Sequence, residues 1–334
     1  LVGLAELLLS GCTTASDHLY LVPGESRHDD EINAARELGI RFHPCRGSMS
    51  LGKSDGGLPP DRVVQTEDEI IADCERLYNE YHDPEPYSML RIVIAPCSPF
   101  SVTGESMKRS AAWARDRGLM LHTHVAETLD EEEFCLQKFG SRPVEYMQRL
   151  DWIGPDVWYA HGIFINEEEI RLMAETQTGV AHCPSSNMRL GSGIAPIREY
   201  LDAGVPVSLA VDGSASNDSS HMLAEARMAL LLQRVTKGAD ALTVEEVLEI
   251  ATLGGAVVLN RPDLGSLEPT KAADFIGIDV DRLEYAGAAC HDPVGSLVMC
   301  TPPKVDLSVI NGRVVVEDGQ IPGFDWDRAI ARQN

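Results

Sequence analysis

Short apolar runs of the β type alternate with helix-like stretches along most of the chain, and this alternation limits the folds that the sequence can adopt. Amphipathic helical patterns such as "HDDEINAARELG" and "EDEIIADCERLYNEY" separate the runs. The runs themselves cover residues 12–19, 41–46, 90–97, 119–126, 157–162, 179–184 and 207–213. Such alternation predicts parallel strands joined by right-handed crossovers, and therefore an α/β protein.

Seven such units are one short of a (β/α)8 barrel of the TIM type, which usually needs about 250 residues. The opening "LVGLAELLLSG" reads as an amphipathic helix that ends at Gly11. We therefore expect residues 1–263 to form a barrel that lacks its first strand in this chain, with that strand lying upstream of Leu1. A doubly wound open sheet is the alternative.

Residues 264–334 instead predict a small, partial β-sandwich domain with an Asn311-Gly312 hairpin turn and a C-terminal tail.

Composition and missing motifs argue against several classes of function. The net charge of -24 disfavours nucleic acid and anionic membrane surfaces as partners, because a phosphate-binding face needs clustered Lys and Arg. No apolar run is long enough to span a bilayer. The eight cysteines include no C-x-x-C pair, which fits a reduced cytoplasm. Neither a phosphate-binding G-x-x-x-x-G-K-[ST] loop nor a G-x-S-x-G nucleophile elbow occurs.

Histidines stand at or near the carboxyl ends of four predicted strands, the face on which barrel enzymes build their sites. A single strand histidine is most often a packed core residue. Several imidazoles with one carboxylate, however, form a ligand set for Zn2+ or Fe2+, and such an ion lowers the pKa of its water from 15.7 to roughly 7. Glu127 lies just past one strand, where it could exchange protons with a substrate. The residues concerned are His18, His124, His161 and His182, with Asp212 ending the seventh strand. They predict a metal-assisted hydrolase and leave its substrate open.

Several longer motifs resemble the amidohydrolase superfamily in its aminohydrolase branch. "LHTHVAE", "AHG", "HCPSSNMRLGSGIAP" and "VSLAVDGSASND" stand in the order typical of that family. "LLLSGCTTASDHLY", "APCSPFSVT", "DGGLPP" and "LEIATLGGAVVLNR" resemble 8-oxoguanine deaminases in particular. The resemblance runs from Leu1 to the final β domain.

The resemblance implies a role for each matching residue. His124 and Asp212 would be metal ligands, and Asp212 would also shuttle protons. Glu127 would protonate the ring nitrogen beside the attacked carbon, and His161 would polarise the attacking hydroxide. His122 would be a packed or supporting residue. Substrate contacts would come from His18, Arg46, Cys97, Ser98, His182 and Asn187, although Cys97 could equally be a small buried residue and Arg46 an ion-pair partner that holds a loop.

The implied reaction is hydrolytic deamination of an oxidised purine base, 8-oxoguanine, to urate and ammonia, with Zn2+ as cofactor and Fe2+ as the alternative. The family also carries an H-x-H metal-binding pair on its first strand, which has no counterpart here. We therefore expect weak metal binding and weak or absent activity in this chain. Two alternatives stay open: a related aminohydrolase acting on guanine, isoxanthopterin or a hydroxytriazine, and a truncated non-catalytic chain. Assembly as a homo-oligomer is also open.

Overall fold

A computed structural model describes residues 1–22, 26–300 and 303–333. Its main element is a seven-stranded parallel sheet in which strand order follows chain order from β1 to β7. The strands are β1 Thr14–Leu19, β2 Arg41–Ser48, β3 Val93–Pro96, β4 Met120–Val125, β5 Val157–His161, β6 Gly179–His182 and β7 Val207–Leu209. The prediction of a parallel α/β sheet is confirmed.

Helices connect successive strands. Those up to β7 are α1 Val2–Leu9, α2 His28–Leu38, α3 Glu67–Tyr81, α4 Gly104–Arg115, α5 Leu129–Phe139, α6 Pro143–Arg149, α7 Glu167–Thr176, α8 Pro184–Leu190 and α9 Ile197–Ala203. After β7 come α10 Ser214–Asn217, α11 Met222–Lys237, α12 Val244–Glu249, a π-helical turn Ile250–Gly254, α13 Gly255–Val258, α14 Pro293–Met299 and α15 Trp326–Gln333. Short 3-10 turns lie at Lys53–Asp55, Asp61–Val63 and Leu283–Tyr285. Among the described helices, none combines the length and apolar character that crossing a membrane requires.

Local sequence explains where these elements begin and end. The side chain of Thr66 accepts a hydrogen bond from the backbone of Glu69, whose carboxylate in turn accepts one from the backbone of Thr66, so that a capping box starts α3. Gly39 adopts a left-handed conformation with φ 74° and ends α2. Strands β2 and β5 are buried along their whole length, as expected where helices cover a parallel sheet. The main core lies between this sheet and the helices.

A second, antiparallel sheet of three strands follows the helical region. It contains β8 Phe275–Gly277, β9 Leu307–Ile310 and β10 Arg313–Glu317. The β9–β10 hairpin turns at Asn311 and Gly312, both with positive φ, which confirms the predicted turn. The fully buried Arg41 at the start of β2 donates to both carboxylate oxygens of Asp274, just before β8. This ion pair joins the small sheet to the large one. The expectation of a further strand beside β1 stays a prediction.

Candidate active site

Five histidines lie at or near the carboxyl ends of β1, β4, β5 and β6, and four of their rings contact one another. The ring of His18 stacks on that of His124 at 4.8 Å between centroids and meets the edge of His122 at 4.7 Å. The ring of His124 stacks on that of His161 at 5.4 Å. His182, the fifth, ends β6 and is fully buried. The structure thus brings together at one end of the sheet histidines that lie far apart in the sequence.

The backbone at this end of the sheet departs from ordinary strand geometry. Ala126, His161 and Asp212 have φ values of 55°, 71° and 65°, in the left-handed region that non-glycine residues seldom occupy. Ala126 directly follows β4, His161 ends β5, and Asp212 lies in the loop just beyond β7. Conformations of this kind cost of order 1–3 kcal/mol and concentrate at functional sites. The strained turns set the directions of the His161 and Asp212 side chains. The turn at Ala126 does the same for Glu127, the next residue.

The imidazole of His124 is held by the neighbouring strand. Its Nδ1 donates to the carbonyl oxygen of Cys97 at 2.8 Å, and its backbone N–H donates to the same oxygen at 3.0 Å. A carbonyl oxygen only accepts, so Nδ1 carries a proton and Nε2 is the ring nitrogen left for another contact. That is the form in which a histidine ligates a metal.

Asn187 fixes His161 in a similar way. The side-chain oxygen of Asn187 accepts from Nδ1 of His161 at 2.9 Å, in a fully buried contact between the end of β5 and α8. Nε2 of His161 lies 3.7 Å from Oε2 of Glu127. The hydroxyl of Ser192 donates to the other oxygen of Glu127 at 3.4 Å. The carboxylate of Glu127 and Nε2 of His161 therefore lie close enough for one group of a substrate to contact both.

The carboxylate of Asp212 is anchored on both oxygens. Oδ2 accepts from the hydroxyl of Ser186 at 2.5 Å, and Oδ1 accepts from the backbone N–H of Gly213 at 2.7 Å. The buried Glu225 on α11 supports this turn by accepting from the backbone of Ser185 and the amide of Asn217. One carboxylate of α11 thus links the segments that carry Asn187 and Asp212.

Burial keeps three of the histidines neutral. It lowers the pKa of His18 well below the ordinary value, with the nearby His122 and His124 adding to the effect. Burial likewise lowers the pKa of His122 and that of His182 to about 3. Nδ1 of His18 and both ring nitrogens of His182 are buried without a hydrogen-bond partner. Neutral imidazoles with free lone pairs suit metal or substrate binding.

The chemical groups of His124 and Asp212 are suitable ligands for a divalent metal. His124 offers a free imidazole nitrogen, and Asp212 offers a carboxylate at the same end of the sheet. Imidazole and carboxylate are preferred ligands of Zn2+ and Fe2+. Within residues 1–22, 26–300 and 303–333, no three histidine, cysteine, aspartate or glutamate side chains are grouped so that they could hold a metal ion.

Arg46 does not join the histidines. In the β1–β2 register His18 pairs with Cys45 and Leu19 with Arg46, so Arg46 points to the opposite face of the sheet. Its guanidinium donates to Asp73 on α3 at 3.0 Å and to Gln65 at 3.1 Å. Arg46 therefore has the ion-pair role given above as its alternative. We do not include Arg46 among the proposed substrate contacts.

The other predicted substrate contacts lie near the strand ends. Cys97 is buried and contributes its carbonyl oxygen to His124, while the hydroxyl of Ser98 pairs with that of Ser101 at 2.9 Å. His122 stacks on Trp158 at 4.7 Å, which agrees with a supporting role. Asn187 holds His161 through its oxygen and keeps a buried side-chain nitrogen without a partner. Substrate contact by Cys97, Ser98, His18, His182 or Asn187 stays a prediction.

Sequence patterns missed several residues of this site. Tyr20 meets the edge of the His18 ring at 5.2 Å and that of His124 at 5.6 Å. Burial raises the pKa of Tyr20 to about 12, and the nearby Cys97 and Asp212 add to this. Ser186 and Ser192 lie inside the quoted "HCPSSNMRLGSG" motif, which was the available signal for them. Tyr20 likewise ends the quoted "LLLSGCTTASDHLY" motif, whereas Glu225 lies outside the quoted motifs.

Comparison with known proteins identifies the family of this chain. The model of the amidohydrolase family matches residues 1–315. The chain belongs to the amidohydrolase family. Among relatives of this family member, the 8-oxoguanine deaminase of Pseudomonas aeruginosa is 51% identical over 333 residues, covering 99% of this chain and 74% of the relative. An isoxanthopterin deaminase from an unknown prokaryotic organism is 39% identical, with coverage of 97% and 71%.

Solved amidohydrolase structures share the fold. The zinc complex of the atrazine chlorohydrolase from Arthrobacter aurescens superimposes with a TM-score of 0.95 and 38% identity, covering 99% of this chain and 74% of that chain. The parallel sheet is therefore that of the family's TIM-type barrels. Together with the deaminase relatives, the match shows that this chain is a metal-dependent aminohydrolase that uses a divalent metal.

Proposed function

We propose that the protein hydrolyses 8-oxoguanine to urate and ammonia. The observation that carries the proposal is the pairing of Glu127 with the Asn187-anchored His161, beside His124 and Asp212. The 51% identity to an 8-oxoguanine deaminase favours this purine among the substrates of the family.

Zn2+ is the proposed metal, with Fe2+ as the alternative. Nε2 of His124 and the carboxylate of Asp212 would hold it. When bound, it would supply a nucleophilic water at neutral pH. We also propose that the protein holds zinc weakly, since His124 and Asp212 are the two residues assigned as its ligands. Tight, stoichiometric zinc after dialysis of the chain would contradict this.

The proposed roles of the side chains follow from their contacts. Glu127 is half-buried, held between Ser192 and His161, and is free to carry a proton to a ring nitrogen of the substrate. His161 is held by Asn187 so that Nε2 accepts and orients a hydrogen-bond donor. Asp212 is anchored by Ser186 and Gly213 and would take up a proton. His18, Cys97, Ser98, His182 and Asn187 are the proposed substrate contacts.

We further propose that residues 1–263 form the catalytic barrel and that 264–334 form the small β domain. All eight cysteines are free, which supports a reducing cytoplasm as the location. Assembly as a homo-oligomer is left to measurement.

The substrate is tested with the purified protein in the presence of excess Zn2+. Ammonia release is followed with 8-oxoguanine, guanine, isoxanthopterin and a hydroxytriazine at equal concentrations. We expect the highest kcat/KM for 8-oxoguanine. Faster turnover of isoxanthopterin or of the triazine would move the assignment to that relative's activity, and no turnover of any of them would favour a non-catalytic protein.

The role of Glu127 is tested by Glu127→Gln. General acid–base catalysis contributes about 10²- to 10⁴-fold, so we expect kcat to fall by that factor while bound zinc is unchanged. Glu133→Gln, which makes the same charge change on an exposed face of α5, is the control. Equal loss of zinc and of activity in Glu127→Gln would instead make Glu127 a metal ligand.

A further inference from the structure

A buried carboxylate lies four residues beyond Glu127 and has no part in the chemistry proposed above. Glu131 in the first turn of α5 is 1% exposed. Its Oε1 accepts from the backbone N–H of Ala126 at 2.7 Å, and its Oε2 accepts from the backbone N–H of Glu127 at 3.1 Å. The side chain of Glu131 therefore holds two successive amides at the point where the chain leaves β4.

The turn held in this way is the strained one that projects Glu127. Ala126 has a φ of 55°, so its conformation persists only where the surroundings enforce it. The carbonyl oxygen of Ala126 points away from Glu131, in the direction opposite to the N–H of Glu127. It accepts from the backbone N–H groups of Ile163 and Phe164 at 2.9 and 3.0 Å. These residues directly follow the His161 turn. Glu131 and the 163–164 backbone thus fix the turn from its two sides.

We infer that Glu131 is a positioning residue whose carboxylate sets the distance between Glu127 and His161. This inference rests on the proposed role of Glu127. With the amides of Ala126 and Glu127 fixed, the Glu127 side chain leaves the backbone in one direction and meets Nε2 of His161 at 3.7 Å. Without the carboxylate, the turn can relax towards ordinary strand geometry, and the separation of Glu127 and His161 becomes variable.

Helix capping does not account for Glu131. The hydroxyl of Thr128 already accepts from the backbone of Glu131 at 3.3 Å and caps α5. Burying a carboxylate is also unfavourable unless hydrogen bonds compensate it. Burial raises the pKa of Glu131 to about 8 even though the two N–H groups act in the opposite direction. An apolar side chain would fill the same space at lower cost, so the hydrogen bonds are the feature that requires a carboxyl group.

Glu169 on α7 provides a matched control. It is also buried, at 4% exposure, and its carboxylate accepts from the backbone N–H groups of Val144 and Asn166 at 3.2 and 3.1 Å. It also pairs with Arg142 at 2.9 Å. Glu169 therefore fixes loop backbone in a comparable way, but at the starts of α6 and α7 rather than at a turn that carries a site residue.

The test compares Glu131→Gln with Glu169→Gln in the protein supplied with excess Zn2+. In Glu131→Gln we expect kcat with 8-oxoguanine to fall at least about 10-fold, KM to stay within about twofold, and bound zinc to be unchanged. Amide hydrogen exchange at Ala126 and Glu127 should become faster in this variant alone. Glu169→Gln should lower thermal stability and keep kcat within about twofold.

Two results would overturn the inference: unchanged amide exchange at Ala126 and Glu127 in Glu131→Gln, or equal losses of kcat in the two variants. If Glu131→Gln does not fold, Glu131→Asp retains the carboxyl group, withdraws it by one methylene, and is judged by the same measurements. A wild-type protein that releases no ammonia from 8-oxoguanine would refute the proposed function, while amide exchange would still decide the role of Glu131.

Discussion

Replacing Asn187 by Ala should reduce activity by removing the group that orients His161. Asn187 is fully buried, and its oxygen accepts from Nδ1 of His161 at 2.9 Å. This bond fixes the ring of His161 so that Nε2 lies towards Glu127, 3.7 Å from Oε2. Leaving a buried donor unsatisfied costs about 1–3 kcal/mol. If that free energy is lost mainly in the transition state, kcat/KM falls about 5- to 150-fold.

The assay is steady-state ammonia release with 8-oxoguanine, together with zinc content and thermal melting of each variant. Gln233→Ala is the control. Gln233 on helix α11 is likewise a fully buried amide, and it donates to the carbonyl of Ala195 at 3.0 Å. It should lose stability but keep kcat/KM. Asn187→Asp retains an acceptor for Nδ1 and should keep more activity than Asn187→Ala. A folded, zinc-replete Asn187→Ala protein with kcat/KM within about twofold of wild type would refute this reasoning.

Two further predictions concern stability. Asp274→Asn leaves the buried guanidinium of Arg41 without its charged partner, so the free energy of unfolding measured by urea titration should fall by about 3–5 kcal/mol. The double variant Arg41→Met with Asp274→Leu should recover most of this loss. An Asp274→Asn protein as stable as wild type would contradict this. Burial raises the pKa of Glu131 from 4.5 to about 8, so between these values the folded protein binds more protons than the unfolded chain. The stabilisation from this group is full below about pH 4.5 and is lost as pH rises to about 8, by at most about 1.4 kcal/mol per pH unit. Melting curves from pH 5 to 8 should therefore show a flatter pH dependence for Glu131→Gln than for wild type.

The sheet and the position of the site could be predicted from sequence because both depend on simple patterns. Apolar runs of strand length are separated by amphipathic helical segments, and this alternation leaves few arrangements for a parallel sheet. Since the carboxyl ends of parallel strands lie at one end of a sheet, His18, His124, His161 and His182 were expected to be close together. The family motifs then assigned different roles to histidines that the pattern alone could not distinguish.

The contacts that orient the side chains could not be predicted in this way. The bonds from His161 to Asn187 and from Ala126 to Glu131 depend on left-handed turns at residues that are not glycine, and neither residue type announces such a turn. Arg46 was assigned to the site because it lies near the end of β2. Its face depends on the residue-by-residue register with β1, and a shift of one residue reverses it.

The coincidence of strand order and chain order has a consequence for biosynthesis. Each strand from β2 to β7 pairs with the strand that precedes it along the chain, so each of these six pairings closes a loop of a few tens of residues at most. Loop-closure entropy therefore does not accumulate as the sheet grows. A chain emerging from the ribosome can add one strand and its helix at a time to a sheet already formed. The residues of the site are then assembled in sequence, and Asp212, which follows the last strand of the sheet, joins the histidines at the end.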